Sequence, residues 1–392
     1  AGIYAVSGAV GLSLFKALVA AVTFWFVVNL GMGKTSTWGA SICSAVALLA
    51  CHHSLTAQPM LITRLGLAMM FWVINSWKLG ASPRRIYALI PLFLFWANLD
   101  PRMFLGLVAL VLYGLGDLIG VLWGRPSLTE SERGPFQLAV AGSFLAAMVN
   151  PVGWHTLLRP LELYGTEYPA YREFLSGSPA TPTTVQYYTL LDSSVWDVLG
   201  HTGIAAVALG IAAIIVMYLN FRRLDIGHVL VFFGFAAFAL SSVEQLPAAA
   251  LVFAVLLAIN GQSWYQANFD QSYSVKTGEL IFSRGGRAVT VLAFAALAFM
   301  AGTGWLRAPG HGSTGFGLDY SLSQSLNALQ SQTQDTFNDR VFNMTGQQGD
   351  MLIWVGQKPF FDMRLPLYVG EGDDWFAEIH DESAVAGFLH LD

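Results

Sequence analysis

Arg64, Asp100, Arg102, Asn150, His155, Arg159 and Glu244 are the side chains whose types and spacing suit chemistry in this 392-residue chain. They fall in four polar breaks of an otherwise apolar sequence. The first break is His52-His53-Ser54-Leu55-Thr56-Ala57-Gln58-Pro59, with Arg64 one turn further on. A guanidinium offers a rigid fork of donors that fits a phosphate. An Arg at a helix end also suits snorkelling, in which the charged head reaches water along an apolar stem. The second break, Trp96-Ala97-Asn98-Leu99-Asp100-Pro101-Arg102, sets a carboxylate two residues from a guanidinium. That pair fits a general base with its orienting partner, or an ion pair closing a hairpin. The third is Asn150-Pro151-Val152-Gly153-Trp154-His155, followed by Arg159 and Glu162. Here Asn150 either caps a helix end or, with His155 and Arg159, contacts a lipid phosphate. The fourth, Ser241-Ser242-Val243-Glu244-Gln245, places an acid between two apolar runs. Such an acid is either functional or a loop carboxylate close to water.

The elements that must position these residues follow from composition. The chain is 55% hydrophobic and 11% charged, with mean hydropathy +0.54. A soluble domain carries about 25% charged residues, so lipid is the expected solvent. Net charge −5 and pI about 5.9 provide no basic surface for nucleic acid. Ten apolar segments are expected at 12–30, 38–53, 59–77, 86–98, 103–122, 136–150, 201–220, 226–243, 246–260 and 287–305. Crossing the hydrocarbon takes about 20 residues, so several of these are half-length, tilted or re-entrant. Lys34, Lys78, Arg84, Arg85, Arg125, Arg133, Arg222, Arg223, Lys276, Arg284 and Arg287 all fall on one side if the segments alternate. The positive-inside rule makes that side cytoplasmic. The four polar breaks are then external.

The expected fold is an all-α polytopic membrane protein of about ten transmembrane or half-length helices with a small C-terminal external domain, α/β or α+β. Residues 1–150 form a first helix bundle, 151–200 an external loop or lid, 201–305 a second helix group and 306–392 the soluble domain. Within the tail, 319–337 reads as an amphipathic helix, and 351–356 and 364–370 read as strands. Ala1–Gly11 reads as the interior of a longer protein.

Other signals are weaker. Gly33-Lys34-Thr35 ends like a P-loop, but Val28 stands where its first glycine belongs, which excludes a nucleotide site. His52 and His53 are adjacent with no accompanying ligand set, so no metal is expected. Cys43 and Cys51 would lie roughly 12 Å apart along a helix, beyond the reach of about 7 Å for a disulfide. They read as packing residues. Lys16 is the charge placed well inside a segment, where it can snorkel.

The ordered set of motifs carries a resemblance. It comprises Gln58-Pro59, WANLD (96–100), FLGLVALVLYGLGD (104–117), NPVGW (150–154) with LLRPLEL (157–163), and the run from Glu244 to Asn260. In the tail it continues with FNMTGQQGDMLIW (342–354) and KPFFDMRLPLY (358–368). This order resembles bacterial GT-C-superfamily-like polytopic proteins, which are related to mannosyltransferase-like and lipid A-core sugar transferase-like proteins. The resemblance implies sugar transfer from a polyprenyl-phosphate donor at the external face of the bacterial inner membrane. The cofactor stays open, a polyprenyl-phosphate-sugar donor being the candidate, and the sequence carries no metal motif. Relatives carry their base in a first external loop, which would lie upstream of Ala1. Asp100 stands where many of them have His.

The resemblance and the residues leave three functions open. One is a GT-C-like glycosyltransferase, with Asp100 and Glu244 as carboxylates and Arg64, Arg102, Asn150, His155 and Arg159 binding substrate or lipid phosphate. It requires Arg64, Asp100 and Glu244 to converge. Another is a non-catalytic GT-C-fold subunit contacting lipids and other membrane subunits, with these residues separated or buried in ion pairs. The third is a transporter, which needs charges near the bilayer middle.

Overall fold

The computed structural model describes residues 2–30, 38–55, 59–157, 190–191, 193–269, 277–303, 340–341, 353 and 358–359. Among the described residues ten α-helices follow one another: α1 Gly2–Val28, α2 Trp38–Cys51, α3 Met60–Lys78, α4 Leu89–Leu99 and α5 Phe104–Leu122, then α6 Glu130–Ala147, α7 Ser193–Leu219, α8 Ile226–Ser241, α9 Leu246–Phe269 and α10 Thr277–Thr303. Short 3₁₀ turns at Pro83–Ala88, Pro101–Met103 and Val243–Gln245 lead into α4, α5 and α9.

Among the described residues six stretches are long and apolar enough to cross a membrane: Val10–Val28, Met60–Lys78, Pro101–Leu122, Leu199–Leu219, Val243–Asn268 and Gly285–Thr303. The chain is therefore a helical, multi-pass membrane protein that contacts lipid. The expected segments 86–98 and 136–150 differ for identifiable reasons. Pro83 opens a 3₁₀ turn that takes the first residues of the former, leaving an α4 of 11 residues. At 1.5 Å per residue that is roughly 16 Å, about half the hydrocarbon thickness. The latter sits in α6, whose first turn carries Glu130 and Glu132 and so belongs to water.

The chain divides into two compact units, Gly11–Pro309 and Ala1–Val10 with Gly310–Asp392. In the helical unit α9 is central, packed against α2, α3, α7 and α8, while α4 pairs with α6 and α5 with α8. The spans in α3 and α9 are 72% buried, whereas the Gly285–Thr303 window of α10 is not buried at all. Its apolar side chains Val291, Leu292 and Phe299 are exposed, as lipid contact requires. Close crossings rest on glycine. A Cβ on Gly116 of α5 would lie 2.2 Å from the backbone of Gly227 in α8.

In the second unit the described strands are a two-residue parallel pair, Arg340↔Lys358 and Val341↔Pro359. The expected tail helix lies outside the described residues. So do the expected strands apart from Ile353, and most of the 151–200 loop, Arg159 and Glu162 included. Lys16 is not the one charge placed inside a segment. Asp117 in α5 is 5% exposed and paired with Arg133. Cys43 and Cys51 are free and buried.

Candidate functional site

Two chain breaks with the same backbone design meet at one end of the helical unit. After α4, Asp100 turns extended (φ −150°, ψ 122°), and Pro101–Met103 makes one 3₁₀ turn into α5. After α8, Ser242 does the same (φ −151°, ψ 127°), and Val243–Gln245 turns into α9. Arg102 and Glu244 are the middle residues of the two turns. They form an ion pair across 142 residues of chain.

Trp96 locks the first break. Its indole occupies a slot between Gly66 of α3 and Gly106 of α5, where an added Cβ would lie 2.5 and 2.7 Å from the ring. From there Trp96 Nε1 donates to Thr63 Oγ1 at 3.0 Å, and Thr63 Oγ1 donates to Asp100 Oδ2 at 2.6 Å. Asp100 Oδ1 accepts from the Arg102 backbone N–H at 3.1 Å and lies 3.6 Å from Arg102 Nη1. Asp100 is fully buried, whereas the Glu244 side chain is 20% exposed and that of Arg102 32%. Asp100 thus holds Arg102, and Arg102 presents itself to Glu244.

Arg64 lies one residue beyond Thr63 on α3, within electrostatic range of Asp100, Arg102 and Glu244. It is 1% exposed. Its Nη1 donates to the Ser54 carbonyl oxygen, but Nε and Nη2 have no hydrogen-bond partner among the described residues. Snorkelling to water is therefore not what this residue does. A buried guanidinium with open donors is costly.

The other expected residues are placed differently. Asn150 closes its own turn. Its Oδ1 accepts from Val152 N, Gly153 N and Thr156 Oγ1 at 2.8–2.9 Å, and its Nδ2 donates to Ala147 O at 2.7 Å. That is the capping alternative. The turn joins the Trp96–Arg102 break through Asn98 Nδ2, which donates to Val149 O at 2.8 Å. His155 is exposed and packs on Trp154 with ring centroids 4.0 Å apart. No described hydrogen bond or ion pair joins Asn150 or His155 to Arg64, Asp100, Arg102 or Glu244. His52 instead meets a residue outside the expected set, stacking on His201 with centroids 5.0 Å apart and Nε2 atoms 3.3 Å apart.

The opposite end of the same helices holds a second polar cluster that sequence reasoning missed. Lys78, the last residue of α3, donates to Asp225 Oδ2 at 3.0 Å and to Tyr113 Oη at 2.7 Å. Tyr113 Oη also donates to Asp225 Oδ2 at 2.9 Å. Asp225 caps α8 by accepting from Gly227 N at 2.8 Å, and it accepts from Ser127 Oγ. Burial alone would raise the Asp225 pKa. His228, Lys78 and the Ser127 hydroxyl outweigh it and hold the carboxyl well below the ordinary range. Beside it Asp117 accepts from Ser127 N, Leu128 N and Arg133 Nε at 2.8–2.9 Å. The available signal was Asp117, a lone acid in the apolar run 104–122.

Among the described residues no group of three or more His, Cys, Asp and Glu is arranged for a metal ion. No protein-family model matches the chain, and comparison with curated proteins finds no match.

Proposed function

We propose that this chain engages the phosphate of a lipid-linked substrate at the Arg64–Arg102–Glu244 end, as a GT-C-like glycosyltransferase using a polyprenyl-phosphate-sugar donor. The observation that supports the reading is Arg64, a buried cation with two donor nitrogens unpartnered among the described residues, beside a partly exposed Arg–Glu pair. A phosphate oxygen between Arg64 and Arg102 satisfies those donors and draws Arg102 away from Glu244. Glu244 then takes the proton from an acceptor hydroxyl as its oxygen attacks the anomeric carbon. The bond from that carbon to the phosphate oxygen breaks, and the polyprenyl phosphate leaves with its charge held by the guanidinium groups. Asp100 acts through Arg102 and is a positioning residue in this scheme. The shorter helices complete a ten-helix bundle, and residues 306–392 form an α/β or α+β domain. The Lys78 end faces the cytoplasm of a bacterium and the site faces the periplasm, an orientation the cation distribution supports.

A second reading, a non-catalytic subunit with the same fold, has one observation in its favour. Asp100 is sealed and Glu244 is already paired, so neither expected carboxylate stands free. The experiment is transfer of labelled sugar from a panel of polyprenyl-phosphate hexoses and pentoses, with the full chain in lipid nanodiscs. The transferase reading expects turnover, and a Glu244→Gln rate lower by about 10²-fold or more with unchanged donor binding. Donor binding with no turnover on any donor supports the subunit reading. No donor binding overturns both the phosphate site and the transferase.

A further inference from the structure

The Lys78 end carries a site that the proposed transfer chemistry does not use. A cavity of about 510 Å³ opens between the end of α1, the start of α2, the end of α3 and the second half of α9. Ligand sites commonly span about 300–1,000 Å³. Its walls divide by chemistry. Ile42, Val216 and Leu257 are apolar, while Asn75, Lys78 and Gln262 add polar groups to the lining. Trp38, the first residue of α2, meets Tyr265 edge-on with centroids 6.4 Å apart. Aromatic side chains of this kind favour the headgroup level of a bilayer.

Lys78 supplies the charge argument. An ammonium has three N–H donors. Two are used by Tyr113 and Asp225, and the side chain remains 26% exposed where it lines the cavity. The third donor has no described partner. Arg222 and Arg223 are exposed just beyond α7, the helix whose Val216 lines the same cavity. A second cavity of the same volume, between α5 and α6, has no such cation to offer. Its Arg133 is spent on Asp117 and on the Leu128 carbonyl.

We propose that the Lys78 cavity binds an anionic membrane phospholipid, with an acyl chain between α2, α7 and α9 and the phosphate against Lys78. Basic pockets between membrane helices hold anionic headgroups in this way. The bilayer supplies the ligand, and the cavity matches it with an apolar wall and a cationic, aromatic rim.

The test uses the full chain purified from phosphatidylcholine–phosphatidylglycerol vesicles, with retained lipid counted by native mass spectrometry. The expected result is a retained phosphatidylglycerol, enriched over phosphatidylcholine by about fivefold, as one cation near an anionic headgroup provides. Ala258→Phe, which fills the cavity, returns the ratio to that of the vesicle. Should Ala258→Phe fail to fold, Gly39→Leu fills the same cavity where an added Cβ meets no atom within 4 Å. Lys78→Gln keeps a bound lipid but removes the preference for the anionic one. Retained lipid that mirrors the vesicle, no retained lipid, or enrichment that survives filling of the cavity each overturns the proposal.

Discussion

The Lys78–Asp225 and Arg102–Glu244 clusters use the same residue types at opposite ends of the same helices, yet they treat their donors differently. At the first end Asp225 accepts from Lys78, Tyr113, Ser127 and Gly227, and Asp117 accepts from Ser127, Leu128 and Arg133. Each carboxylate is saturated, and the cluster ties α3, α5, α6 and α8 together. At the other end Asp100 accepts from Thr63 and the Arg102 backbone, but Arg64 beside it is buried with two donor nitrogens that have no partner among the described residues. A complete buried network stabilises and specifies a fold, whereas a locally unsatisfied group marks a site under another constraint. The contrast separates carboxylates held by a full set of donors from a buried guanidinium with open donors, even though both ends consist of charged residues at helix ends.

The largest effect should come from breaking the clamp. Asp225→Ala leaves Lys78 without its counter-ion and should destabilise the protein by about 3–5 kcal/mol, read as a lowered thermal midpoint in detergent. A loss under about 1 kcal/mol would place Asp225 among ordinary surface pairs. Acid should reach the same interaction without mutation. The Asp225 pKa is depressed in the fold, so its contribution is complete above the unfolded value of about 3.9. It is lost as pH falls through the lower folded value. The thermal midpoint of the wild type minus that of Asp225→Ala should therefore be constant from about pH 5 to 8 and shrink below about pH 4. A difference that shrinks instead between neutral and alkaline pH contradicts the assignment.

Smaller effects sharpen the other end. Thr63→Val leaves Asp100 Oδ2 and Trp96 Nε1 each short of a partner and should cost about 1–3 kcal/mol. An unchanged midpoint would show that Trp96 does not hold Asp100 through Thr63. Arg64→Met should change stability least and can raise it, because an apolar side chain replaces a charge whose burial is only partly compensated. A loss comparable to that of Asp225→Ala would make Arg64 a second clamp and erase the difference between the two ends.

How much of this was legible in the sequence follows from the range of each interaction. The helices follow from local hydropathy, and both breaks of the candidate site were visible as Asp100-Pro101-Arg102 and Ser241-Ser242-Val243-Glu244. Their meeting was not, because Arg102 and Glu244 are 142 residues apart and no local pattern encodes which turn faces which. Lys78 and Asp225, 147 residues apart, stayed hidden for the same reason. Lys78 was legible only as a topogenic charge. Among the described residues six of the expected crossings are long and apolar enough to span, while 86–98 shortens to an 11-residue helix because the Pro83 turn takes its first residues. Asn150 carried two readings in the sequence, and its hydrogen bonds select the cap.

The central claim is that Arg64 keeps its free donors for a phosphate. Equilibrium binding of a polyprenyl phosphate to the full chain in nanodiscs, wild type against Arg64→Met, tests it most directly. The account predicts saturable binding by the wild type and a loss of about tenfold or more in the variant, since a charged hydrogen bond is worth about 1.5–3 kcal/mol. Equal affinities in the two proteins, with both folded, would contradict it.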